Sequence, residues 1–166
     1  MPQWWSDIGK TLVAEFSDIS DLSDITLICV RLLLAATLGG VLGYEREQQG
    51  KAAGIRTHML VAMGATLFVL APLQAGAEGD AMSRVIQGIV AGIGFLGAGT
   101  ILKGNGDTDE AQVKGLTTAA GLWLTAAIGV AVGLGHAATA VLSTLLALII
   151  FAVMPRIAQA LIKTKP

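Results

Sequence analysis

The chain reads as an all-α, polytopic membrane protein: a bundle of about five transmembrane helices preceded by an amphipathic N-terminal helix. Three features of its composition predict this. Of its 166 residues, 54% are hydrophobic and only 14% charged, whereas about one-quarter of a soluble domain is charged. The mean hydropathy is +0.70. Glycine accounts for 21 residues, and glycine is commoner in membrane helices than in soluble ones. A net charge of −1 provides no field that would draw nucleic acid to the surface, so that class of partner is excluded.

The first element covers residues 1–24. Trp4, Trp5, Ile8, Leu12, Phe16 and Ile19 recur every three or four residues, which makes one apolar stripe on a helix. Lys10 stands alone against Asp7, Glu15, Asp18, Asp21 and Asp24. A cleavable signal would open on a basic region followed by an apolar run, so the segment is expected to stay on the mature protein. Its acidic face rules out attraction to anionic lipid as its purpose. Two readings remain: a helix lying along the periplasmic membrane surface, or a docking surface for a partner.

Five apolar stretches follow, at residues 25–42, 59–77, 85–102, 115–133 and 137–154. Each suits the roughly 20 residues that cross a hydrocarbon core of about 30 Å. None alternates as a barrel strand does. Leu134, Gly135 and His136 alone divide the last two, so a tight helical hairpin is required there. Pro155 marks the end of the fifth span, which gives a membrane domain over 25–155 and a short basic tail over 156–166. Basic residues collect in cytoplasmic segments. With the N-terminus outside, the inner segments hold Arg46, Lys51, Arg56, Lys103, Lys114, Arg156, Lys163 and Lys165, and the outer ones only Lys10 and Arg84. The C-terminus then lies inside.

The joint after the first span, residues 43–58, is dense in charge. Glu45 or Glu47 can pair there with Arg46, Lys51 or Arg56, and the joint serves either as a positive-inside anchor or as a recognition loop. The third span carries Gly88, Gly92, Gly94, Gly97 and Gly99. Gly88 and Gly92 form a GxxxG pair, as do Gly39 with Gly43 and Gly129 with Gly133, and such pairs let helix backbones approach closely. The other reading of the third span is a helix broken around residues 94–99, with free backbone groups lining a ligand site.

Ionisable residues within spans are functional candidates, and Arg31 qualifies, with Arg84 near an end. Arg31 either snorkels to the outer interface, pairs with Asp24, or bonds backbone carbonyls near the glycine-rich third span. Both residues are cations and would repel a divalent metal, whose usual ligands are carboxylates. Gln87, Thr100, Thr117, Thr118 and Thr125 offer only neutral oxygens. Cys29 is the single cysteine, and His58 and His136 lie far apart. No nucleophile–base set is evident, so neither an enzyme, a metal site nor a cofactor is expected.

Three ordered blocks carry a family resemblance. The first runs from Gly39-Gly40 through Gly43-Tyr44-Glu45-Arg46-Glu47 to Ala53-Gly54-Ile55-Arg56-Thr57-His58. The second is Gly92-Ile93-Gly94-Phe95-Leu96-Gly97-Ala98-Gly99, and the third is Lys114-Gly115-Leu116-Thr117-Thr118-Ala119-Ala120-Gly121-Leu122-Trp123. In these the chain resembles the MgtC/SapB family of bacterial inner-membrane proteins, over roughly residues 31–154.

The resemblance implies a link to magnesium limitation and, for the best-described member, restraint of the proton-translocating ATP synthase. Thr117 stands where the virulence-associated branch would have asparagine, and Leu124 where it would have cysteine. The short form without a soluble C-terminal domain is expected. These departures leave the virulence role without support.

Together these readings give a regulatory or accessory protein working by helix contact in the lipid bilayer, as a homo-oligomer or on a membrane-protein partner such as the ATP synthase. The residues expected to matter are Glu45, Arg46, Gly54, Arg56 and Thr57 in the joint, and Gly92, Gly94, Phe95, Gly97 and Gly99 in the third span. Arg31, Arg84, Thr117 and Trp123 complete the set as intramembrane polar groups and anchors. The alternative is an oligomeric ion or small-solute pathway linked to magnesium.

Overall fold

The computed structural model describes residues 3–15, 21–103 and 113–163. Its helices are α1 (Gln3–Glu15), α2 (Leu22–Gln48), α3 (Ile55–Gln74), α4 (Gly79–Thr100), α5 (Leu116–Gly133) and α6 (Ala137–Lys163). The helices from α2 to α6 are long and apolar enough to cross a membrane. Two short strands, β1 (Leu102–Lys103) and β2 (Val113–Lys114), pair antiparallel with Leu102 opposite Lys114. They replace the end of the predicted third span, because the chain turns extended at Ile101.

The chain divides into two units, residues 1–30 and 31–166. In the first, Trp4 and Trp5 stack with ring centroids 4.2 Å apart, and Ile8 and Leu12 are exposed. Phe16 and Ile19 of the predicted stripe lie outside the described residues, as does Lys165 of the basic tail.

In the second unit, α5 lies at the centre, with half of its apolar stretch buried. One core cluster joins Ala35, Leu38 and Leu42 of α2 to Ala62, Ile128, Val132, Ala140 and Ala147. The other joins Ala53 and Ala65 to Ile93 of α4 and to Leu122 and Ala126 of α5. Alanine makes up half of the first cluster and three of the five members of the second, so the backbones lie close. Two of the three predicted GxxxG pairs create that closeness. A Cβ on Gly39 would lie 2.5 Å from the His58 carbonyl oxygen, and one on Gly43 would lie 2.6 Å from Ile55 Cα. A Cβ on Gly129 would likewise collide with the Ala62 carbonyl oxygen, and one on Gly133 would lie 2.8 Å from Val69 Cβ. Thr66 reinforces that seam by donating a hydrogen bond to the Gly129 carbonyl (2.8 Å).

The third pair behaves differently. Among the described residues, a Cβ on Gly88 or Gly92 would meet nothing within 4 Å. The helix α4 is also continuous through residues 94–99, which corrects the broken-helix alternative: an unbroken ladder leaves no free backbone groups to line a site.

The hairpin between α5 and α6 closes as its three-residue joint requires. Gly135 has φ +85°, the Gly135 N–H reaches the Val132 carbonyl, and the His136 N–H reaches the Ala131 carbonyl. This is the double bond of a Schellman C-cap, and only glycine holds that φ without strain. Pro155, by contrast, does not end the last helix, which continues to Lys163. Proline removes one backbone bond, to the carbonyl four residues earlier, and membrane helices tolerate that loss where neighbours satisfy the freed group.

Candidate functional site

Four helices meet at the α2–α3 end of the bundle around a buried polar cluster. Arg46, on the last turn of α2, is only 3% exposed. Its guanidinium bonds Glu45 through both Nε and Nη2 and lies 3.7 Å from the centroid of the Phe151 ring on α6. Such a cation–π contact is worth about 2 kcal/mol when desolvated. His58 of α3 is fully buried, and its Nδ1 lies 2.7 Å from Thr125 Oγ1 on α5. The Thr125 hydroxyl donates its one hydrogen to the Gly121 carbonyl, so towards His58 it accepts. The proton therefore sits on Nδ1. Gly121 lies beside the cluster, where a Cβ would stand 3.4 Å from Phe151 and 3.6 Å from the His58 ring, at ordinary contact distance.

Glu47 has a separate task. Its Oε2 accepts from the Ile55 N–H (2.9 Å), capping the first turn of α3, whose initial N–H groups lack partners within the helix. Its carboxylate fills the space beside Gly54, where a Cβ would collide with it. The charged joint is thus partly internal: Glu45, Arg46 and Glu47 bind within the chain, while Arg56 and Thr57 are exposed. Gly115 completes this end of the bundle at φ +96°, where a Cβ would clash with the Thr100 carbonyl.

At the other end, Arg31 Nη1 donates to the carbonyl of Gly133 (2.8 Å). Its predicted carbonyl partner near the third span is corrected to the last residue of α5. That carbonyl has no acceptor role within its own helix and carries the negative end of the helix dipole. Replacing Arg31 with leucine is expected to cost about 2 kcal/mol, typical of a charge-assisted bond, and lysine should recover part of it. Equilibrium unfolding in detergent checks this, and an unchanged midpoint for Arg31→Leu would refute it.

The remaining predicted residues separate by exposure. Gly97 is buried, with its Cβ direction 3.4 Å from Ala119 Cβ. Gly94 and Gly99 face open space, and Phe95 between them is 82% exposed. Arg84, Thr117 and Trp123 are also exposed, and it is Thr118 rather than Thr117 that turns inward. The sequence reading did not select His58, Thr125, Phe151 or Thr66. A signal was present for the threonines: Thr118, Gly121, Leu122, Thr125, Gly129 and Val132 fall on one helical face, and all are buried.

A groove of about 800 Å³ runs between α3 and α4, floored by Ala126 of α5. Gly88 and Gly92 line it, which explains why this GxxxG pair meets no neighbour within the chain. Among the described residues, no three His, Cys, Asp or Glu side chains are grouped to hold a metal ion.

Comparison with known proteins places these features in a family. The model of the MgtC family matches residues 32–160. The chain is 50% identical over 115 residues to protein SrpB of Synechococcus elongatus, covering 63% of this chain and 62% of that protein. It is 43% identical over 113 residues to the putative magnesium transporter YhiD of Escherichia coli, covering 64% and 50%. To protein MgtC of Salmonella typhimurium it is 42% identical over 119 residues, covering 72% and 48%. The match therefore spans about half to three-fifths of the length of these curated relatives. No solved structure matches. With five apolar helices and a family model covering most of its length, the chain is a membrane protein that belongs to the MgtC family.

Proposed function

We propose that this protein is a regulatory or accessory component of the bacterial inner membrane, tied to magnesium homeostasis and acting on another membrane machine by helix–helix contact. The observation that carries this reading is the outward face of α4. Among the described residues nothing stands within 4 Å of a Cβ on Gly94 or Gly99, and the exposed Phe95 lies between them. Small residues permit close approach of a second helix within lipid, and an exposed aromatic ring is a typical anchor in an interface. The core clusters include neither Gly94, Phe95 nor Gly99.

The interior chemistry favours contact over cation transport. Among the described residues of the second unit, Glu45 is the carboxylate that the bundle encloses, and Arg46 already neutralises it. A dication entering there would meet no net negative charge. The magnesium link rests on family membership and on the relative described as a putative magnesium transporter. The distribution of basic residues supports a periplasmic N-terminus and a cytoplasmic C-terminus, with α1 along the outer interface.

Restraint of the proton-translocating ATP synthase is the specific form of this proposal. The test is ATP hydrolysis by inverted inner-membrane vesicles, prepared with and without the protein, under an imposed proton gradient. Lower hydrolysis with the protein present is the expected result. Higher hydrolysis would mean that the protein dissipates the gradient, and an oligomeric ion pathway would replace the regulator reading. No change would remove the ATP synthase as the target.

A further inference from the structure

We propose that the groove between α3 and α4 is a binding site for one anionic phospholipid, with its acyl chains in the trough and its phosphate on Arg56. This goes beyond the regulatory reading and does not depend on it, because none of Gly94, Phe95 and Gly99 lines the groove. Gly64 on one wall and Gly88 and Gly92 on the other leave nothing within 4 Å of a Cβ, so the absence of three side chains hollows out the trough. The rest of the lining is almost wholly hydrocarbon, and Leu60 and Phe68 on its rim are 70% and 63% exposed. The trough is therefore open to the membrane from the side.

Size separates a lipid from a helix as the occupant. The groove follows α3 from Arg56 to Phe68, twelve residues and hence about 18 Å at the helical rise. That is the depth of roughly one leaflet, half of a hydrocarbon core of about 30 Å. A transmembrane partner helix would run the full depth instead. Acyl chains about one leaflet long match the depth of the groove.

Charge fixes the polar end. Arg56 is the one ionisable residue that lines the groove, and it stands at its end. It forms no ion pair with a carboxylate among the described residues. A guanidinium matches phosphate oxygens through paired hydrogen bonds. An amphiphile with an anionic head and hydrocarbon chains about one leaflet long answers all three features, and the bilayer around the bundle supplies it.

The test is native mass spectrometry of the protein released from bilayer nanodiscs of equal phosphatidylglycerol and phosphatidylcholine. The protein should retain one lipid, with phosphatidylglycerol preferred severalfold, because both lipids offer a phosphate to Arg56 and only the choline head adds a cation that the guanidinium repels. Arg56→Gln should erase the preference. Gly92→Leu should remove retention of both lipids, and Gly64→Leu should do so from the opposite wall. Circular dichroism establishes that each variant keeps its helix content, and Arg56→Gln is an exposed change that disturbs no packing. Equal retention of the two lipids by the unaltered protein would overturn the proposal. So would a preference that survives Arg56→Gln, or a second copy of the chain found in the groove in place of lipid.

Discussion

Replacing Gly129 with leucine is expected to detach α5 from α3 and prevent the bundle from forming. The Cβ alone would overlap the Ala62 carbonyl oxygen and lie 2.9 Å from Ala65 Cβ. The first of these is backbone in the middle of a packed helix, so it cannot move aside as a side-chain tip could. Overpacking typically costs 1–3 kcal/mol, and here the shift would also break the Thr66 bond to Gly129. A loss of about 3 kcal/mol or more is therefore expected, a large share of the stability of an ordinary domain. It should be read as lost yield in the membrane and aggregation on detergent extraction. Gly94→Leu is the matched control, because its Cβ meets open space and leucine forms helix better than glycine by about 1 kcal/mol. That variant should be at least as stable as the parent yet lose its effect on ATP hydrolysis. Normal assembly of Gly129→Leu would refute the close-packing account, and a fully active Gly94→Leu would remove the outer face of α4 from the proposed contact.

The contrast between Gly129 and Gly94 shows where sequence pattern reaches its limit. Span number and the positions of the joints follow from hydropathy, because a membrane helix must satisfy its own backbone over a fixed thickness. The GxxxG spacing likewise marks Gly39, Gly43, Gly129 and Gly133, all of which lie at intrachain seams. Yet Gly88 and Gly92 have the same spacing and line an open groove. Spacing reports that a helix face is smooth, and not what lies against it. The reason is that lipid tails are as apolar as a neighbouring helix, so the face turned inward and the face turned outward need not differ in composition.

The polar residues obey a different limit. Arg46 has the composition of a solvated inner anchor, but it folds inward because Glu45 and the Phe151 ring satisfy it there. Phe151 lies more than 100 positions away in the chain, and nothing in local pattern announces that meeting. His58 and Thr125 pair over 67 positions in the same way. Arg31 was visible as an intramembrane charge, but its partner depends on where α5 ends, which only the packed bundle decides. Pro155 taught a similar lesson from local sequence, since its usual effect as a helix stop is overridden in the middle of α6.

The Arg46–Glu45 pair provides the second large effect. Arg46→Met removes the partner of a carboxylate whose side chain is only 17% exposed and whose Oε1 has no hydrogen bond among the described residues. Breaking one side of a buried pair costs about 3–5 kcal/mol, whereas replacing both partners with apolar residues of similar volume is often neutral. Arg46→Met should therefore be strongly destabilised in detergent unfolding, and Glu45→Met combined with Arg46→Met should return most of the loss. Phe151→Leu isolates the ring contribution, expected to be about 2 kcal/mol at most. If the double variant is no more stable than Arg46→Met, the pair is not what holds Arg46, and the aromatic contact must carry the cost. If the double variant folds and still lowers ATP hydrolysis, the pair belongs to the architecture, and partner recognition falls to the exposed face of α4. If it folds but no longer acts, the charges at this end of the bundle take part in the function itself, through a rearrangement that exposes them to the partner.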